Sequence, residues 1–172
     1  MQALSPAPIS APISLLEKTP GILELLLRDV PKETTAWKPA SDRWSIEEVL
    51  AHLVMIEQLY NGRARRIAME NDPVLPKHAQ PTGSEKQKTA LEYLDEFVAL
   101  RRAFVVFLHS IPSTAAGRTG QHAELGTITL SQLLHELANH DLGHVRQIAE
   151  LYRAHVFYPH AGPFQKYSQL KP

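Results

Sequence analysis

Cysteine is absent from the 172-residue sequence. That excludes a disulfide framework, a thiolate ligand and a cysteine nucleophile, and leaves nitrogen and oxygen as the donors for any metal. Net charge is missing too: 18 Lys and Arg cancel 18 Asp and Glu, so no global field draws nucleic acid or an anionic membrane. No stretch approaches the roughly 18 apolar residues a membrane-spanning helix needs. The longest apolar clusters are short pieces such as residues 104–108. The N-terminal stretch is broken by Pro6, Pro8 and Pro12 and lacks the basic and apolar regions of a signal peptide. Strand signal is weak throughout, with Val156, Phe157 and Tyr158 too short a run to argue for a sheet. No internal repeat emerges. These absences predict a cytoplasmic protein with neither a nucleic-acid nor a membrane partner.

What is present reads as helices. A hydrophobic content of 44% in 172 residues fits one domain with a single core. Residues 1–12 are expected to be a flexible lead-in, and residues 13–172 one domain that includes an extended C-terminal tail. The first helix should run from Ile13 to Val30, with a kink or restart at Thr19 and Pro20, and end before Pro31. Ser45 and Glu48 form a capping box for a second helix reaching about Met69, with Trp44 stapled onto Val49. Arg63, Arg65 and Arg66 on this helix read as a solvated face. Residues 71–84, rich in proline, make a long connection able to cross the end of a bundle. A third helix is expected from Glu85 to Ser110, with Arg101 on its buried stripe either snorkelling or partnered. Residues 111–128 read as non-helical. Thr129 and Gln132 then cap a fourth helix that ends near Ala154. The aromatic, proline-rich tail should pack as an extended segment or mediate self-association, so a homodimer is expected.

Three histidines depart from this apolar pattern. His140 and His144 continue the stripe of Leu133, Leu137, Ile148 and Leu151, and residues four apart on a helix present their side chains to one side. His52 occupies a core position between Val49 and Ile56. One histidine on an apolar stripe is more often a satisfied core residue than a ligand, but three on the buried stripes of two helices are hard to explain singly. If the two helices run antiparallel, the depths of His52 and His144 nearly coincide, and the three can share a metal ion. Glu57, Glu136 and Asp141 are nearby candidates for a proton acceptor, none of them assigned that role.

The stretches W-S-I-E-E-V-L-A-H-L at 44–53, H-D-L-G-H-V-R-Q-I at 140–148 and G-P-F-Q-K-Y at 162–167 resemble those of the DinB-like, or YfiT-like, superfamily. The resemblance implies an all-α four-helix bundle in up-down-down-up order, with a crossover between the second and third helices. It also implies a divalent metal, zinc or nickel, held by His52, His140 and His144. Gly143 stands where relatives often carry a further histidine. Several relatives use a low-molecular-weight thiol. The expected function is therefore that of a metal-dependent, thiol-S-transferase-like enzyme acting on a small-molecule substrate, with the thiol supplied from outside. A metal-dependent hydrolase activating water and a non-catalytic metal-binding protein of stress response or dimerisation are the alternatives.

Overall fold

The computed structural model describes residues 7–77 and 88–168. Its long helices are α1 (Ser10–Leu27), α3 (Ile46–Met69), α4 (Ala90–Ser110) and α5 (Leu130–Tyr152), joined by a short α2 (Lys32–Thr35) and a hairpin of β1 (Thr119–His122) and β2 (Gly126–Thr129). Three of the long helices start at capping boxes: Ser45 with Glu48, Thr89 with Glu92, and Thr129 with Gln132. In each, the two side chains reciprocally satisfy backbone N–H groups that lack a partner within the helix.

Two buried apolar clusters reveal how the helices run. One gathers Ile13 and Leu16 of α1, Ala64 and Ile67 of α3, Phe104 and Leu108 of α4, and Leu130 and Leu134 of α5. The other gathers Leu23 and Leu27, Leu50 and Leu53, Leu94 and Phe97, and Ile148 and Leu151. The starts of α1 and α5 thus share one end of the bundle with the finishes of α3 and α4, which is the up-down-down-up order. α1 and α3 each pack on both α4 and α5. Because α3 and α4 are parallel neighbours, the chain must travel back along the bundle between them, about 31 Å for the 21 residues of α4. The described part of that connection pairs with the hairpin: Gln121 N–H donates to the Pro73 carbonyl at 2.8 Å, and Leu75 N–H to the Gln121 carbonyl at 2.9 Å. The rest of the 71–84 stretch lies outside the described residues.

Between the two clusters sits a buried ion group. Arg101, 1% exposed, donates from Nε and Nη2 to Glu57 at 3.0 and 2.7 Å, and from Nη1 to Asp141 at 2.6 Å. Its Nη1 also donates to the Leu16 carbonyl at 3.2 Å. That carbonyl is accessible for a chemical reason: its helical donor would be the N–H of residue 20, and residue 20 is proline. Arg101 therefore joins all four long helices.

Several local expectations give way. α1 is continuous through a buried Pro20 rather than restarted there, and it begins at Ser10, with Ile9 already buried, so the core reaches into the expected lead-in. Burial of Leu16, Thr19, Pro20 and Leu23 on one face outweighs the lost backbone bond. Arg63 is buried and not solvated, its Nε and Nη2 donating to the Pro76 carbonyl at 3.1 and 2.8 Å. α4 starts at Ala90, after its Thr89 cap, rather than at Glu85. The segment read as non-helical contains a 3-10 turn (Ser113–Gly117) as well as the hairpin, whose strands are four residues each, too short to establish an alternating pattern. The tail forms a π turn (Arg153–Phe157) and 3-10 turns (Tyr158–His160, Gly162–Tyr167), not an extended segment, and Trp37 stacks on His155 with ring centroids 4.7 Å apart. No helix among the described residues is long and apolar enough to cross a membrane.

The hairpin approaches α3 closely at Gly120, where a Cβ would lie 2.9 Å from Ile67 Cγ1 and 3.0 Å from Leu75 Cδ2. Both neighbours are buried. Gly120→Ala should therefore destabilise the fold by about 1–3 kcal/mol, measured by denaturant unfolding.

Candidate metal centre

His52 sits in the second turn of α3, and His140 and His144 lie one turn apart on α5. The structure brings all three together, with one donor atom from each within 4.8 Å of the others. His140 Nε2 is 3.0 Å from His52 Nε2 and 3.1 Å from His144 Nε2. An imidazole nitrogen offers either one proton or one lone pair, so His140 Nε2 can make one good hydrogen bond here and not two. His144 Nδ1 lies 2.8 Å from Gln147 Oε1. An amide oxygen only accepts, so Nδ1 carries the proton and His144 Nε2 turns its lone pair inward. Three nitrogens converging in this way suit a cation. Bonds of about 2.0–2.1 Å to one ion put neighbouring donors roughly 2.8–3.4 Å apart, between right-angled and tetrahedral arrangements. The residues present therefore fit a divalent metal of the imidazole-preferring kind.

The surroundings keep His140 unprotonated. Burial pushes His140 down to about 4, helped by the nearby His144 and Arg101 and opposed by Asp141. It is thus a neutral ligand at physiological pH. Its Nδ1 is buried and, among the described residues, has no hydrogen-bond partner. Trp44, expected to staple onto Val49, is 42% exposed and lies beside the cluster, its ring centroid 5.1 Å from that of His52 and 6.3 Å from that of His144. A wide apolar surface thus borders the site.

The carboxylates considered as proton acceptors divide clearly. Glu57 and Asp141 are committed to Arg101. Burial raises the Glu57 carboxyl, with Arg101 opposing the shift and Asp141 adding to it, while Glu57 and Asp141 overcome the effect of burial on Arg101 and hold its guanidinium well above its ordinary range. Glu136 is exposed. None joins the histidine group. Gly143 is exposed, and a Cβ there would meet open space. Sequence reasoning missed Gln147, whose signal was its place three residues after His144, on the same side of the helix. It also missed Trp44, whose apolar bulk before a helix cap reads equally well as a staple. Two surface hollows of about 410 and 470 Å³ lie at the opposite end of the bundle, and neither is lined by His52, His140 or His144. Donor geometry, not hollow size, locates this centre.

The shifted imidazole has a consequence for the metal-free protein. Unfolded His140 takes a proton near its ordinary value of 6.5, whereas the folded one resists down to about 4. Its burial as a neutral ring is therefore compatible with full stability above 6.5, and stability falls as pH drops from there towards 4. Denaturant midpoints of chelator-treated protein should decline across that window, and less so in His140→Gln.

The sequence profile of the DinB superfamily matches residues 15–148. No curated protein matches the chain. Among solved structures, the chain is similar to YfiT from Bacillus subtilis, described as a probable metal-dependent hydrolase with an unusual four-helix bundle topology. The identity is 18%, the match covers 90% of this chain and 91% of the other, and the TM-score is 0.76. It is also similar to the DinB-like protein YjoA from Bacillus subtilis, at 17% identity, covering 84% of this chain and 92% of that one, with a TM-score of 0.61. At these identities the likeness establishes the fold. With the profile spanning most of the chain, from α1 into the last turns of α5, the chain belongs to the DinB superfamily.

Proposed function

We propose that this chain is a divalent-metal-dependent enzyme in which His52, His140 and His144 hold the metal and leave part of its coordination sphere to an incoming molecule. The observation that carries this reading is the convergence of three Nε2 atoms, in which His140 Nε2 cannot make a good hydrogen bond to both neighbours at once. When bound, the cation would supply Lewis acidity and lower the pKa of a coordinated nucleophile, with zinc and nickel both suited to imidazole donors.

The remaining chemistry belongs to the chain. His144 is oriented by Gln147, which fixes the tautomer that offers Nε2 to the metal. His140 stays neutral because it is largely removed from water. Trp44 presents an apolar face beside the donors and would exclude water from one flank of a bound small molecule. Three neutral ligands leave the cation its full charge, the pattern of catalytic rather than closed structural sites. Water is the nucleophile we place first, supported by the description of the similarly folded YfiT as a probable metal-dependent hydrolase. An external low-molecular-weight thiol is the competing nucleophile, and the lack of cysteine requires it to come from solution. We place the protein in the cytoplasm as a homodimer, a reading supported by the missing cysteine and by Phe157, Phe164 and Tyr167, which are exposed at the C-terminal end.

Metal analysis of untagged protein, purified without added metal, tests the proposal. Wild type should carry near-stoichiometric zinc or nickel, and His144→Ala should lose it. Gln147→Leu, which keeps all three imidazoles, should bind about 10–100-fold more weakly. Wild-type protein that arrives empty and takes up neither metal would overturn the reading. With metal established, hydrolysis of ester or amide probes without thiol supports water, and turnover that requires added thiol supports the transferase.

A further inference from the structure

We infer that Arg101 is a positioning residue for the metal centre: by clamping Glu57 of α3 to Asp141 of α5, it fixes the register that sets His52 opposite His140. The inference rests on the metal-binding reading above. Glu57 lies little more than one turn beyond His52, and Asp141 directly follows His140. Both carboxylates accept from the same guanidinium, Glu57 through two oxygens at 3.0 and 2.7 Å and Asp141 at 2.6 and 3.3 Å. A planar guanidinium with donors in a rigid fork defines both distance and orientation, which a single ammonium does not.

The two α5 ligands differ in how they are aimed. Gln147 holds the ring of His144 through Nδ1. His140 has no comparable restraint among the described residues, where its Nδ1 has no hydrogen-bond partner. Its ring is therefore directed by packing and by the position of the α5 backbone, and the residue that ties that backbone across the bundle is its neighbour Asp141. A slip of one residue would carry His140 about 1.5 Å along the axis and turn it away from His52, enough to destroy the 3.0 Å approach of the two nitrogens. The clamp is itself braced by the Leu16 carbonyl, which Pro20 leaves without a helical donor. Pro20 on α1 thus contributes to ligand placement on α3 and α5.

Cobalt(II) titration, followed by both affinity and the visible absorption bands of the bound ion, separates positioning from plain stability. Arg101→Lys and Asp141→Asn are compared with Leu134→Ala, a cavity in the apolar cluster at the other end of the bundle. Arg101→Lys and Asp141→Asn should weaken cobalt binding about tenfold or more and shift its bands. Leu134→Ala, although less stable than wild type, should bind with wild-type affinity and spectrum. If Arg101→Lys does not fold, the isosteric Asp141→Asn decides. Wild-type affinity and bands in the folded clamp variants, or an equal loss in Leu134→Ala, would overturn the inference. A wild type that takes up no cobalt would overturn the metal reading beneath it.

Discussion

Arg101 lies between two apolar clusters with its charge shared by Glu57 and Asp141, and the packing of all four long helices is arranged around that contact. Removing three charged side chains from water is costly, and replacing such a group with apolar residues is often neutral or stabilising. Breaking it by deleting one member costs about 3–5 kcal/mol because the remaining charges are left buried and unpaired. Set against a typical total stability of about 5–15 kcal/mol, that sensitivity forces the helices into one relative placement. Apolar contacts alone tolerate small slides; five directed hydrogen bonds from one rigid fork do not. Specificity of register is what the bundle gains from this group.

That register serves the histidines. α3 and α5 run antiparallel, and their seam brings a histidine near the start of α3 opposite two near the end of α5. The environment then keeps His140 a free base, which is the form a metal needs. Two of the conditions for a metal centre, converging imidazole nitrogens and a neutral His140, thus follow from helix placement and burial.

Much of this was legible before any coordinates. The capping boxes at Ser45 and Thr129 are local signals, set by side chains reaching their own backbone, and they located the starts of α3 and α5. The three histidines stood out because periodicity assigned them to buried stripes. Their convergence followed from antiparallel packing and matched depth. The same local signal was present in Thr89 and Glu92, but the polar stretch before it extends a helical pattern, so the start of α4 was set too early. Arg63 and Arg101 show the limit of such reading. Both are long cations on helices, and whether each finds a partner depends on residues far away in sequence, Pro76 for one and Glu57, Asp141 and Leu16 for the other. The continuity of α1 through Pro20 is of the same kind, since local propensity favours a break there and tertiary burial overrides it.

Everything above converges on one ion shared by His52, His140 and His144. Anomalous diffraction at the metal edge, from crystals grown with cobalt or zinc at low excess, tests it most directly. A single strong peak per chain is expected, about 2.0–2.2 Å from the Nε2 atoms of all three histidines, with Arg101 still bridging Glu57 and Asp141. A peak coordinated elsewhere, or none at the three imidazoles while the protein is saturated with metal in solution, would contradict it.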